Sequence, residues 1–87
     1  MAVVHLPPTL SPLFDGLPRK LEIDAATVED AIASLDHRWP GLLDRLCEPG
    51  PVLRPHINVY VDQRRAELDT AIAPVSRVDV IAAISGG

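Results

Sequence analysis

Apolar and polar residues alternate strictly in two parts of the sequence, residues 19–24 and residues 56–62. This period of two is typical of a strand with one buried face. Two β-branched runs, residues 3–6 and 78–84, favour further strands near the two ends of the sequence. The pattern therefore predicts four strands, and the first two are close enough to form an antiparallel hairpin.

A helical period lies between the second and third predicted strands. Thr27 is suited to cap the helix, and Glu29 and Asp30 place negative charge in its first turn, where the helix dipole favours it. Pro40-Gly41 ends the pattern, and residues 42–47 predict a second, short helix or a turn. One apolar stripe follows the helical spacing and consists of Val28, Ala31, Ile32, Leu35 and Trp39.

The remaining segments predict connections. Pro12 interrupts residues 9–14, so we expect an irregular, extended segment there. Residues 66–72 have a weak pattern that fits either a short strand or a single helical turn. Loops or turns are expected at residues 48–51, 63–65 and 74–76.

The order of these elements predicts a mixed sheet covered by one main helix. A helical crossover between strands favours a parallel pair, whereas the hairpins favour antiparallel pairs. Since the apolar faces of helix and sheet must cover each other, we expect Ile57, Val59 and Val80 to form the core with Ile32 and Leu35.

Composition narrows the functional classes. The 87 residues are 47% hydrophobic and 23% charged, which is ordinary for one globular domain. The formal net charge of -4 argues against nucleic-acid binding, which requires a basic surface. No apolar run approaches the roughly 20 residues that span a membrane, and no signal segment opens the sequence. A cytoplasmic protein without disulfides is therefore expected.

The sequence closes on Ser85, Gly86 and Gly87, directly after the last predicted strand. Glycine has no Cβ, so these two glycines can enter a slot that is too narrow for other residues. They would deliver one chemical group there, the α-carboxylate of Gly87. We expect residues 85–87 to form a flexible tail because no apolar side chain anchors them.

Four stretches carry a resemblance to the bacterial sulfur carriers, which include the molybdopterin synthase small subunit and the carriers of thiamin and cysteine biosynthesis. In order, they resemble four parts of that family's proteins: the first strand, the end of the main helix, the central strand, and the final strand with its diglycine tail. The stretches are His5-Leu6-Pro7-Pro8-Thr9-Leu10, Trp39-Pro40-Gly41-Leu42 with Arg45-Leu46, His56-Ile57-Asn58-Val59-Tyr60-Val61, and residues 78–87.

This resemblance implies an α+β fold of the β-grasp, ubiquitin-like class, with a mixed sheet of four to five strands, one main helix and a short helix. It implies one domain over residues 1–87 that ends in the flexible tail. It also implies that a partner resembling ubiquitin-activating enzymes uses ATP to adenylate the carboxylate of Gly87, while Gly86 and Ser85 give clearance. A sulfur donor or sulfurtransferase then forms a thiocarboxylate, which passes sulfur to an acceptor synthase.

No residue of the chain itself is predicted to be catalytic, so we expect a carrier rather than an enzyme, with no bound cofactor. Cys47 is more typical of a small core residue than of a nucleophile. The three histidines lack the spacing of metal ligands. Asp36-His37-Arg38 fits a solvated helix face, and Arg64 and Arg65 fit exposed charges in a turn. The histidines are His5, His37 and His56.

Two other functions remain open at the level of sequence. In the first, the chain is a protein modifier that forms an isopeptide bond through Gly87; in the second, it is an interaction module in which the two glycines are incidental.

Overall fold

Five strands form one mixed sheet in the computed structural model, which describes residues 1–82. Their order across the sheet is β2-β1-β7-β5-β6. The predictions for Ser85, Gly86 and Gly87, and the continuation of the last strand to residue 84, lie outside the described residues. The five strands are β1 (Ala2–His5), β2 (Lys20–Ile23), β5 (Ile57–Val61), β6 (Arg64–Ala66) and β7 (Arg77–Ala82). A separate ribbon contains β3 (Cys47–Glu48) and β4 (Val52–Leu53).

The pairing of the strands confirms the predicted mixed sheet. β1 and β2 form the expected antiparallel hairpin, β1 and β7 run parallel, and β5 pairs antiparallel with both β6 and β7. β7 therefore lies in the middle of the sheet, with a hydrogen-bonded neighbour on each side.

The main helix, α1 (Val28–Arg38), begins where the sequence predicts. The hydroxyl oxygen of Thr27 accepts a hydrogen bond from the backbone N–H of Asp30 at 3.1 Å. The weakly patterned segment satisfies two further N–H groups of the first turn, since Val28 donates to the carbonyl of Thr70 and Glu29 donates to that of Leu68. Free N–H groups at a helix start need such partners.

The predicted core is confirmed. Val59 is fully buried, and Ile57, Val80, Ile32 and Leu35 are each no more than 5% exposed. All five belong to one hydrophobic cluster. The inward face of the sheet and the apolar stripe of α1 therefore cover each other, as their two periods require.

The short helix, α2 (Leu42–Leu46), is also confirmed. His37 and Arg38 are exposed, as predicted, whereas Asp36 is half-buried and makes contacts that the sequence did not predict. The Asp36 Oδ1 atom accepts hydrogen bonds from the backbone N–H groups of Gly41 and Leu43, each at 3.0 Å. Gly41 has a φ of 101°, which favours glycine. Asp36 thus fixes the turn by which the chain passes from one helix to the next.

Three local predictions need correction. Residues 9–14 are not irregular, because Pro8–Leu13 forms a 3-10 helix with Pro12 inside it. Pro8 stands at the first position of this helix, where a proline removes no needed hydrogen bond. Arg64 and Arg65 lie in strand β6 rather than in a turn, which consists of Asp62 and Gln63 instead. Within the expected loop at residues 48–51, Glu48 belongs to strand β3, and residues 49–51 form the turn of the ribbon β3–β4.

Within residues 1–82, none of the helices is long and apolar enough to cross a membrane.

Candidate functional site

Strand β7 connects the core of the sheet to residues 83–87. Val78 and Val80 point into the core, whereas Arg77, Asp79 and Ile81 lie on the opposite, outer face of the sheet. Ala82, the last described residue, pairs with Ile57 of β5. The segment that contains the predicted reactive carboxylate is therefore attached to a central, doubly paired strand.

A hydrogen-bond network holds the start of β7. The carboxylate of Asp62 accepts a hydrogen bond from the hydroxyl of Ser76 at 2.8 Å and another from the backbone N–H of Arg77 at 2.9 Å. The N–H of Asp62 donates in turn to the carbonyl of Arg77 at 2.8 Å. The Ser76 hydroxyl, which is buried, also accepts from the N–H of Ala73. The turn after β5 is thereby tied to the turn before β7.

These hydrogen bonds favour the charged form of Asp62. The backbone N–H of Arg77, followed by the hydroxyl of Ser76, lowers the pKa of the Asp62 carboxyl below its ordinary value. A group whose pKa is lower in the folded than in the unfolded chain stabilises the fold above the unfolded pKa, which is about 3.9 for aspartate. The stabilisation disappears as the pH falls through the folded pKa.

We therefore expect Asp62→Asn to lower the melting temperature at pH 7, and this difference from the parent chain should shrink steadily below pH of about 4. Thermal melts of both chains across the acidic range measure it. The control is Asp15→Asn, which removes another exposed aspartate, one for which the structure shows no such hydrogen bonds among the described residues. A difference that stays constant down to acidic pH would contradict the assigned role of the carboxylate.

A shallow groove of about 430 Å³ crosses the outer face of the sheet next to the end of β7. The Nε atom of Arg77 donates to both carboxylate oxygens of Asp79, at 3.0 and 3.1 Å, so these two charges largely satisfy each other. Ile81 is 47% exposed beside them and leaves an apolar surface one residue before the last described position. Tyr60 and Gln63 complete the groove. We call these five residues the outer-face groove.

The structure places the other candidate residues away from any reactive arrangement. Cys47 is buried in the hydrophobic cluster, as predicted, and burial, with a smaller contribution from Glu29, raises the pKa of its thiol. Among residues 1–82, no three histidine, cysteine or acidic side chains are grouped so that they could hold a metal ion. Arg64 and Arg65 are exposed, as predicted, although in a strand.

Tyr60 and Ile81 were not predicted from the sequence to form part of a surface. The signal was present, because Arg77, Asp79 and Ile81 are spaced two apart along a strand and must share one face. Because Val78 and Val80 alternate with these three residues and point into the core, the three lie on the outer face of the sheet.

Comparison with known proteins gives consistent matches. The sequence model described as "ThiS family" matches residues 14–87. A chain of the Amycolatopsis orientalis BexX/CysO complex superposes with a TM-score of 0.88 at 25% identity, and the match covers 100% of both chains. CysO of Mycobacterium tuberculosis gives 0.84 at 26% identity over 97% of this chain and 100% of its own.

A curated relative is similar in sequence as well. Small archaeal modifier protein 3 of Haloferax volcanii is 40% identical over 68 residues, which are 74% of this chain and 73% of the relative. Together with the sheet order and the covering helix, the structural matches confirm the predicted β-grasp, ubiquitin-like fold.

Proposed function

This chain belongs to the ThiS family of ubiquitin-like sulfur carriers and modifiers, and from this premise we propose that it carries sulfur as a thiocarboxylate at Gly87. The observation that carries the proposal is the family match, which extends through the two glycines to residue 87. The central position of β7 supports it, because a doubly paired strand gives the tail a fixed base.

The proposed chemistry has two steps. A carboxylate oxygen of Gly87 attacks the α-phosphorus of ATP, and pyrophosphate leaves with the electron pair of the broken P–O bond. A sulfide-level sulfur then attacks the acyl carbon, a C–S bond forms, and AMP leaves as the C–O bond breaks. A carboxylate at pH 7 is a poor electrophile, so adenylation is the step that makes substitution at this carbon possible.

The partners supply what the chain lacks. An adenylating enzyme would bind the ATP, a sulfur donor or sulfurtransferase would supply the sulfur, and an acceptor synthase would consume it. A related fold is known from a complex, that of BexX with CysO. By analogy we propose that this carrier also functions bound to an enzyme.

The outer-face groove is our candidate for the surface that the adenylating enzyme contacts. It lies on the strand that leads to the tail, and Ile81 offers exposed apolar area that binding would bury. Arg77 and Asp79 already satisfy each other, so covering them leaves no unpaired charge.

Intact-protein mass spectrometry tests the carrier function. The chain, prepared with Gly87 as its last residue, is incubated with its adenylating partner, ATP and sulfide. We expect a species heavier by about 16 Da, from replacement of one oxygen by sulfur. A chain whose Gly87 carboxylate has been converted to the amide is the control and should gain nothing. If the parent chain gains no mass either, it does not carry sulfur at Gly87.

The relative named small archaeal modifier protein 3 favours a second function, that of a protein modifier. In that case a lysine amine of a target would attack the same acyl-adenylate, and an isopeptide bond would replace the C–O bond to AMP. Conjugates of higher mass, formed when target proteins are added, would identify this function. If neither sulfur loading nor conjugation occurs, the remaining hypothesis is that the chain is an interaction module.

A further inference from the structure

Lys20 is the single lysine among the eight lysines and arginines of the sequence. A guanidinium group keeps its proton in proteins and does not attack an acyl carbon, whereas a lysine amine can do so once it has lost a proton. The single thiol, that of Cys47, is buried, and this burial raises its pKa, so it is a poor nucleophile. Lys20 is therefore the one side-chain amine of this chain that an activated carboxyl group could acylate.

Lys20 lies at the end of the sheet from which residues 83–87 continue. It is the first residue of β2, and its partner His5 is the last residue of β1. His5 pairs in turn with Asp79 of β7, which runs parallel to β1, so these three residues form one row across the sheet. Lys20 is exposed, and no carboxylate lies within 4.0 Å of its amine among residues 1–82. The amine is thus open to solvent at this end of the sheet.

The distance from the end of β7 to Lys20 follows from strand geometry. Neighbouring strands are about 4.8 Å apart, so Lys20 lies about 10 Å from Asp79, and Ala82 lies about 10 Å further along β7. The two displacements are perpendicular, which places Lys20 about 14 Å from Ala82. Residues 83–87 span up to about 17 Å when extended, and the four-carbon stem of the lysine closes part of the gap. The carboxyl group of Gly87 can therefore reach the amine of Lys20 in the same chain.

The terminal amine of Met1 lies at the opposite end of the sheet. The register of β1 with β7 places Ala2 about 20 Å back from Ala82, on the order of six residues along the strands. The extended length of residues 83–87 does not cover this distance, and Met1 precedes Ala2. The directions of the strands thus separate the two amines, since Lys20 lies within reach and the terminal amine does not.

We propose that Lys20 is the internal acceptor for the activated carboxyl group of Gly87, which closes residues 20–87 into a ring. The inference rests on the proposed adenylation of Gly87. The neutral amine attacks the acyl carbon of the adenylate, a C–N bond forms, and AMP leaves with the electron pair of the broken C–O bond, while a proton passes from the amine to water. The amide that results can neither be adenylated nor accept sulfur. A chain whose adenylate is released before sulfur arrives is thereby withdrawn from sulfur transfer.

A thioester at Gly87 tests the ring closure without ATP or a partner. The full chain is prepared as an alkyl thioester and kept at micromolar concentration in mildly alkaline buffer. We expect a product that is lighter than the hydrolysed chain by one water, about 18 Da. Cleavage after the arginines should then release residues 20–38 joined to residues 78–87. The control, Lys20→Arg, keeps the positive charge without the amine and should yield hydrolysed chain alone.

The rate of ring closure reports whether the fold brings the two groups together. Reaction of the Lys20→Arg thioester with free Nα-acetyl-lysine amide gives a reference rate constant. The ratio of the ring-closure rate constant to this reference is the effective concentration of Lys20, for which a short connection of matching length predicts about 1 mM or more. In guanidinium chloride the connection becomes the unfolded chain of about 67 residues, so the effective concentration should fall at least tenfold.

A product of twice the chain mass, a ring closed through Met1, or an effective concentration that denaturant leaves unchanged would overturn the proposal. With the adenylating partner and ATP but no sulfur donor, the parent chain should form the same lighter species and Lys20→Arg should not, while both exchange pyrophosphate. If the parent exchanges pyrophosphate and keeps its mass, the adenylate does not reach Lys20 and the proposal fails. Absence of exchange would instead contradict the adenylation, and the thioester would still decide the role of Lys20.

Discussion

A chain with one additional residue after Gly87 should lose adenylation by at least about 100-fold, because misplacing a reacting group by about 1 Å can already cost that much. The added residue moves the carboxylate by up to about 3.6 Å, and deletion of Gly87 withdraws it by a similar distance. The fold should not change, since residue 87 lies outside the sheet and helices of residues 1–82, and we expect a stability change below about 0.5 kcal/mol.

ATP–pyrophosphate exchange with the adenylating partner measures the first effect, and a thermal melt measures the second. Ser85→Ala is the matched control, because it changes the same segment while it leaves the length unchanged, and it should exchange nearly as fast as the parent. If the extended chain exchanges at the parent rate, the carboxylate of Gly87 is not the reacting group. A loss of exchange with a lowered melting temperature would instead indicate a damaged fold.

Most of the sheet and the main helix were predictable because their signals are local. The alternation around Ile57, Val59 and Val61 requires a strand with one buried face, and five buried or half-buried apolar positions follow the helical period after Thr27. The cap at Thr27 fixed the beginning of α1. In this strand and this helix, the local propensity and the pattern of burial indicate the same structure, so both elements could be predicted from the sequence.

The missed elements depend on contacts that the local pattern does not contain. β6 has two exposed arginines and only one buried residue, Ala66, so no alternation marks it. Its hairpin turn places Asp62 and Gln63 at positive φ, where Asn-Gly would be the usual signal. Each strand of the ribbon β3–β4 has two residues, which are too few to show a sequence pattern. The strands are recognised only by their pairing with each other.

The candidate site was predictable in part. The two glycines indicate the end that we propose to be reactive, but the network that holds β7 joins Asp62 to Ser76, which are 14 residues apart in sequence. Such a contact appears only once β5 and β7 are paired. The fold likewise brings distant parts of the sequence together in a second groove, which is lined by Leu13, Phe14, Pro40, Gly41, Asp44, Arg45, Arg54 and His56.

Loss of the apolar side chain of Ile81 should weaken recognition by the adenylating partner. Full burial of an isoleucine is worth about 1.5–3 kcal/mol. Because Ile81 is 47% exposed in the free chain, docking can gain roughly half of this, so Ile81→Ala should raise the KM for the carrier about three- to tenfold. Ile81→Asp should raise it by a further factor of about ten, since an unpaired carboxylate would lose its water.

The measurement is the KM and kcat for the carrier in ATP–pyrophosphate exchange, together with a thermal melt of each variant. A docking role raises KM and leaves kcat nearly unchanged, because the carboxylate of Gly87 still reaches the ATP once the complex has formed. Val52→Asp is the matched control: Val52 is 53% exposed and also lies in a strand, but in the separate ribbon β3–β4. Equal KM values for Ile81→Asp and Val52→Asp would exclude the outer-face groove as the contact surface, because the two substitutions then act alike regardless of where they lie.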